Sequence, residues 1–190
     1  MSKSYILRNL IDKASTRIYD LAKKTELNKA NNISRKLKNN IYFKREDQQP
    51  VFSFKLRGAY NKILEVKDLI KENQEIYACS AGNHAQGVAL SGSHLNIPTN
   101  IIMPTFTPEI KIDNVKNFGG NVILHGDSFD EAKIECDRLV EENNGILVHP
   151  FDDLDIIAGQ GTIGKELIEE IKDIDYVFCP IGGGGIAAGV

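Results

Sequence analysis

Tryptophan is absent from the 190 residues, and cysteine occurs three times, at Cys79, Cys136 and Cys179. These cysteines lie far apart and form neither a metal-binding nor a redox spacing, so no metal is expected. Their odd number, with no secretory leader ahead of them, points to a reducing, cytoplasmic compartment. Positive charge is not in excess, since 23 Lys and Arg face 26 Asp and Glu. That balance excludes a nucleic-acid partner, which needs a basic face. The lysine-rich residues 23–38 are interrupted by Glu and Asn and read as a solvated helix face. No apolar run approaches the length of a membrane span, which excludes a membrane partner. The N-terminus lacks the apolar core of a signal peptide; Lys3, Arg8 and Arg17 leave organelle targeting as a minor alternative. Internal repeats and low-complexity tracts are lacking too. The hydrophobic fraction is 42%, enough for the core of one generous domain or two small ones.

Residues 5–37 read as two amphipathic helical pieces separated by a polar stretch around 24–28, and residues 41–44 as a short strand. A helix starting near Ser53 carries Leu56, Tyr60, Ile63 and Leu64 at helical spacing and fades near Asn73. From Glu75 short apolar runs alternate with helices. Strands are expected at 76–79, 99–103, 121–125 and 146–148. A small-residue helix runs to Leu95, and a helix over 108–118 is closed by Gly119 and Gly120. Ser128 with Glu131 makes a capping box for a helix with Phe129, Ala132, Cys136, Leu139 and Val140 on one side. Residues 159–162 open a further helix, and 176–180 read as a buried-type strand running into Gly182, Gly183, Gly184 and Gly185. Strands alternating with helices imply parallel sheets with right-handed crossovers. That last glycine loop should launch a helix, yet the chain stops a few residues later, as the front part of a longer catalytic unit would.

Three stretches carry chemistry. In residues 50–60, Ser53 is placed to cap a helix and to put Lys55 in its first turn. The field of the unpaired N–H groups there, and burial beside Phe54, both disfavour an ammonium and leave a nucleophilic amine. Taken alone, the stretch is read more simply as a surface lysine with its stem on a helix. The four glycines at 182–185 form a nest of backbone N–H groups suited to a phosphate. Their alternatives are a flexible linker or a weak Gly-x-Gly-x-x-Ala dinucleotide fingerprint, whose acidic partner would fall outside the chain. The turn Ser80, Ala81, Gly82, Asn83 and His84 exposes amides suited to a carboxylate. There His84 is read as a base or, more simply, as structural, and Cys79 as a strand filler. A lysine, a phosphate cradle and a carboxylate cradle together suggest pyridoxal phosphate and an amino-acid substrate.

Residues 43–60, 80–88, 125–126, 158–162 and 182–190 together resemble the fold type II (tryptophan-synthase-β-like) pyridoxal-phosphate enzymes, and within them the biosynthetic threonine dehydratase family. The resemblance implies an α/β fold of two open, twisted, mostly parallel sheets with helices on both faces. It implies a large cofactor domain from residues 1–74 and 151–190, incomplete here, and a small inserted α/β domain from 75–150 whose closure excludes water. Lys55 is then the Schiff-base and catalytic lysine, and Phe54 packs near the cofactor ring. Asn83 bonds the cofactor's phenolic oxygen, and Gly182, Gly183, Gly184, Gly185 and Ile186 hold its phosphate. Ser80, Ala81, Gly82, Asn83 and His84 receive the substrate carboxylate. Racemases resemble this loop but carry a second serine where Ala81 stands, so elimination is favoured over racemisation.

The implied reaction is dehydration and deamination of L-threonine to 2-oxobutanoate and ammonia, the first step of isoleucine biosynthesis, by a homo-oligomer when full length. Other readings are a serine dehydratase or racemase relative, an inactive or complementation-dependent fragment needing a C-terminal chain, and a nucleotide-dependent oxidoreductase. Two departures stand out. The residue facing the pyridine nitrogen, and the regulatory domain, belong beyond position 190 in the family. Glu26 also stands where the family usually has Pro.

Overall fold

The computed structural model describes residues 3–72 and 74–190. The chain runs α1 (Lys3–Ser15), β1 (Leu27–Lys29), α2 (Asn31–Leu37), β2 (Tyr42–Lys44), α3 (Lys55–Val66), β3 (Ile76–Cys79), α4 (Asn83–Leu95) and β4 (Thr99–Met103). It continues through α5 (Glu109–Asn117), β5 (Asn121–Leu124), α6 (Phe129–Glu142), β6 (Ile146–Leu147), α7 (Leu154–Glu170) and α8 (Gly185–Gly189). Strands β3 to β6 form one parallel sheet in the order β5-β4-β3-β6, and β1 pairs antiparallel with β2. The fold is thus α/β with a parallel sheet clothed by helices.

The central strands are buried throughout, as a parallel sheet covered on both faces requires. Their side chains alternate. Ile76, Ala78, Ile101 and Met103 join Ala85, Val88 and Ala89 of α4 and Ala59 and Ile63 of α3 in one cluster. Tyr77, Cys79 and Ile102 point the other way, onto Ala132 and Cys136 of α6. Half of the capping box at α6 forms, the Ser128 hydroxyl accepting from Glu131 N, while the Glu131 carboxylate reaches one residue past the cap and accepts from Asp127 N at 2.6 Å. A third cluster, Ile18, Ala22, Val51, Leu56 and Tyr60, seats the N-terminal segment on α3.

Four local expectations change. First, α7 begins at Leu154, capped by the Asp153 side chain, so residues 159–162 lie inside the helix rather than opening it. Their glycines serve packing. A Cβ at Gly159 would lie 2.5 Å from the Arg57 carbonyl oxygen and 2.6 Å from Gly58 Cα, so α3 and α7 touch backbone to backbone. Second, residues 176–180 form no strand and stand exposed, Phe178 by 94%; no neighbouring strand lies alongside to accept their backbone bonds, and no second parallel sheet forms among the described residues. Third, Ser53 is not the helix cap. Phe54 holds that position without a side-chain cap bond, while Ser53 Oγ accepts from Lys55 N at 3.2 Å. Fourth, the polar stretch between the first two helices contributes β1, because Leu27 and Lys29 find backbone partners on β2. The helix from Lys55 ends at Val66 with a further 3-10 turn; the expected fading point, Asn73, lies outside the described residues.

The close approach of α3 and α7 makes Gly159→Ala costly. Urea unfolding is expected to show a loss of about 1–3 kcal/mol. Gly182→Ala, where an added Cβ meets nothing within 4 Å, is expected to stay within about 0.5 kcal/mol of the parent.

Candidate active site

The sheet order puts β4 and β5 on one side of β3 and β6 on the other. Such a reversal opens a crevice beyond the carboxyl ends of the two strands, where α/β sheets bind ligands. Two loops rim it here: residues 80–82 after β3 and residues 148–153 after β6.

Lys55, at the start of α3, reaches into this rim. Its Nζ donates to the Pro150 carbonyl oxygen at 2.6 Å and stands 5.7 Å from the centre of the Phe54 ring. Burial pushes its pKa below that of an ordinary lysine. Helix α4 fixes the backbone beneath: a Cβ on Gly87 would lie 3.2 Å from the Lys55 carbonyl carbon and oxygen. Just upstream, Phe52 adopts φ 56°, a conformation that costs free energy in an aromatic residue and turns the chain into α3.

The loop after β3 leads into α4, with Gly82 at the N-cap and Asn83 as the first helical residue. Gly82 offers no side-chain cap, so the first amides of α4 remain open to an anion. Asn83 is exposed, and its amide makes no hydrogen bond among the described residues. His84 faces inward instead. Its Nε2 lies 2.9 Å from the Val148 carbonyl oxygen. A carbonyl only accepts, so Nε2 carries the proton and Nδ1 is the lone-pair nitrogen. That Nδ1 is buried without a partner among the described residues. Burial, the largest influence, lowers the His84 pKa to about 4. His84 is therefore a neutral brace across the crevice, and only its backbone N–H suits a carboxylate.

The glycine loop reaches the same place through Phe151, the residue after Pro150. A Cβ on Gly183 would lie 2.2 Å from the Phe151 ring, and one on Gly185 2.8 Å from the Phe151 carbonyl oxygen. Gly184 has φ +85° and leads directly into α8, a left-handed residue ahead of helical ones that turns successive N–H groups toward one point. Phe151 is held by His149, whose Nδ1 accepts from Phe151 N and Asp152 N and whose ring meets it edge-on at 4.7 Å. Lys55, the 80–84 loop and the glycine loop thus converge on residues 148–151.

A glycine cradle that a Cβ would close, an inward lysine with a depressed pKa and an open helix start all fit pyridoxal phosphate. The convergence brings together Lys55, Phe54, the 80–84 loop and Gly183, Gly184 and Gly185, with Gly182 and Ile186 flanking. Pro150 and Phe151 were missed in sequence. They act through a carbonyl oxygen and a ring behind glycines, neither of which leaves a motif. No group of side chains suited to a metal exists among the described residues.

Residues 18–190 match the family described as pyridoxal-phosphate dependent enzyme. A biosynthetic L-threonine dehydratase from Haemophilus influenzae is 50% identical over 182 residues, covering 96% of this chain and 35% of that protein. Among solved structures, the processed form of threonine deaminase isoform 2 from Solanum lycopersicum superposes with a TM-score of 0.91 at 45% identity, over 99% of this chain and 52% of that one. Maize serine racemase superposes at 0.90 with 34% identity, over 95% of this chain and 55% of that one. The chain spans about a third of the length of the curated relatives it matches.

The lowered His84 pKa sets a pH dependence. The unfolded chain takes up a proton near the ordinary histidine value of 6.5, and the folded chain only near 4. The neutral-histidine contribution is therefore complete above pH 6.5 and is lost as pH falls to 4, by roughly 3 kcal/mol in all. Urea unfolding across that window is expected to flatten in His84→Gln, whose amide keeps a donor for Val148.

Proposed function

Because the chain belongs to the pyridoxal-phosphate dependent enzymes, we propose that it supplies the lysine, carboxylate loop and phosphate loop of an L-threonine dehydratase. The observation that carries this reading is the convergence of Lys55 Nζ, the 80–84 loop and the Gly183–Phe151 contact on one crevice. The reaction is conversion of L-threonine to 2-oxobutanoate and ammonia. When bound, pyridoxal phosphate supplies an electron sink for charge developing at the substrate Cα. The chain's own residues orient and move protons around it. Backbone N–H groups of Gly182, Gly183, Gly184, Gly185 and Ile186 hold the phosphate, and the Asn83 amide bonds the phenolic oxygen. Amides of Ser80, Ala81, Gly82, Asn83 and His84 hold the substrate carboxylate. Lys55 Nζ, whose pKa burial lowers from that of an ordinary lysine, takes the Cα proton. Phe54 shields the ring from water.

Ala81 separates this reading from a racemase. It has no hydroxyl with which to protonate Cα from the face opposite Lys55, so elimination is the outcome. Residues 1–74 and 151–190 form the larger domain of this reading, and residues 75–150, which contain the whole parallel sheet, the smaller one. A cytoplasmic homo-oligomer completes it; no described helix is long and apolar enough to cross a membrane.

A second reading is that activity needs complementing polypeptide. Val177, Phe178 and Ile181 are exposed and line an open apolar groove with Cys179, Ala187 and Val190, surface of the kind that other chain covers. The 190-residue chain with pyridoxal phosphate and L-threonine is expected to form 2-oxobutanoate at background rate. Adding the remaining half of a homologous catalytic domain is expected to raise that rate, and Lys55→Ala to abolish the gain. Robust turnover by the chain alone would overturn the second reading; no turnover in any mixture would overturn the first.

A further inference from the structure

Two residues beyond Lys55, and outside the crevice, Arg57 is completely buried. All its guanidinium nitrogens are engaged. Nε and Nη2 donate to the two Glu46 carboxylate oxygens, each at 2.8 Å. Nη1 donates to Glu166 Oε1 and to Thr162 Oγ1, and Nη2 to Glu166 Oε2 at 3.1 Å and the Lys23 carbonyl at 3.1 Å. The two carboxylates are themselves filled. Thr25 and Gln49 donate to Glu46, Tyr19 donates to Glu166, and Lys44 pairs with Glu166 at 2.8 Å. The cluster joins the segment before α3, the first turn of α3 and the middle of α7.

We propose that Arg57 is a positioning residue for Lys55: its two-carboxylate clamp fixes the rotation of the first turn of α3 and so aims the Lys55 amine at the crevice. This rests on the role given to Lys55 above. Leu56 and Tyr60 pack this side of α3 on Ile18, Ala22 and Val51, but apolar contact is not directional, and in the first turn the clamp supplies the directional side-chain bonds. The N-cap of α3 has no side-chain bond, and the neighbouring helices press on this turn with glycines, Gly87 and Gly159. Bare backbone contact sets distance but interlocks weakly against turning. A planar fork held on both sides by carboxylates from different elements resists turning. Burying such a cluster is poor evidence of added stability, because an apolar filling of the same volume often serves as well. What an apolar filling lacks is direction.

The test reads Lys55 directly. The chain is exposed briefly to pyridoxal phosphate across a neutral-to-alkaline pH series and fixed with borohydride; labelling of each lysine is then quantified by peptide mass spectrometry, with the thermal midpoint measured alongside. In Arg57→Lys, which keeps the charge but not the fork, labelling at Lys55 is expected to fall by about ten- to a hundredfold while other lysines are unchanged. In the combined Arg57→Met, Glu46→Gln, Glu166→Gln variant no clamp charge is left unpaired, since Lys44 keeps Glu170. Its thermal midpoint is expected to stay near wild type while Lys55 labelling remains depressed. Wild-type rate and pH midpoint at Lys55 in either variant overturns the clamp. Should both fail to fold, the Tyr19→Phe, Thr162→Val variant removes two hydroxyl bonds to the clamp and leaves its charges in place; a fall of about threefold or more at Lys55 supports the proposal and a smaller one overturns it. If wild-type Lys55 labels no faster than exposed lysines, the role of Lys55 falls and the clamp with it.

Discussion

Helix α3 is in backbone contact with two neighbours at once, Gly87 of α4 against the Lys55 carbonyl and Gly159 of α7 against the Arg57 carbonyl. A Cβ at Gly159 would meet the α3 backbone at 2.5 Å and force the helices apart, and one at Gly87, at 3.2 Å, would require α3 to give by a few tenths of an ångström. The rest of the site inherits its dimensions from this contact. It brings the amine of Lys55 within reach of Pro150, which sits on the loop between β6 and α7, and Pro150 in turn brings Phe151 under the glycine loop. Three segments distant in sequence are gathered by two missing side chains.

Polarity around the crevice follows from the same compactness. Burial leaves His84 neutral and lowers the pKa of Lys55, so both basic groups beside the crevice hold a proton less firmly than they would in water. The strong charges are kept elsewhere. Arg57, Glu46, Glu166 and Lys44 pair with one another away from the crevice, where they give structure without adding charge to it.

The parallel sheet was legible from the alternation of short apolar runs with helices, because fully buried strands need near-continuous apolar sequence. That Lys55 and residues 182–185 could share one site was readable from their residue types and order; what the structure adds is that both meet residues 150–151. Other features were not. Gly159 and Gly161 read as a helix start, since a glycine used for helix contact looks the same in sequence as one used for a turn; only the Asp153 cap, several residues earlier, fixes the true beginning. The clamp of Arg57 was invisible because its partners, Glu46 and Glu166, are ordinary acidic residues whose meeting depends on the packing of α7. The stretch at 176–180 has a strand's composition, but composition promises only that a strand forms when a neighbour offers its edge.

That stretch has a cost of its own. Tyr176, Val177 and Phe178 follow one another in the open, uncharged and rich in β-forming side chains, the makeup of segments that stack into cross-β aggregates. Asp175 before them and Pro180 after them act as gatekeepers, one by repulsion and one by denying an amide to the growing ladder. The exposed run just ahead of residues 182–185 therefore has the composition that favours stacking, framed by a charge and a proline that oppose it.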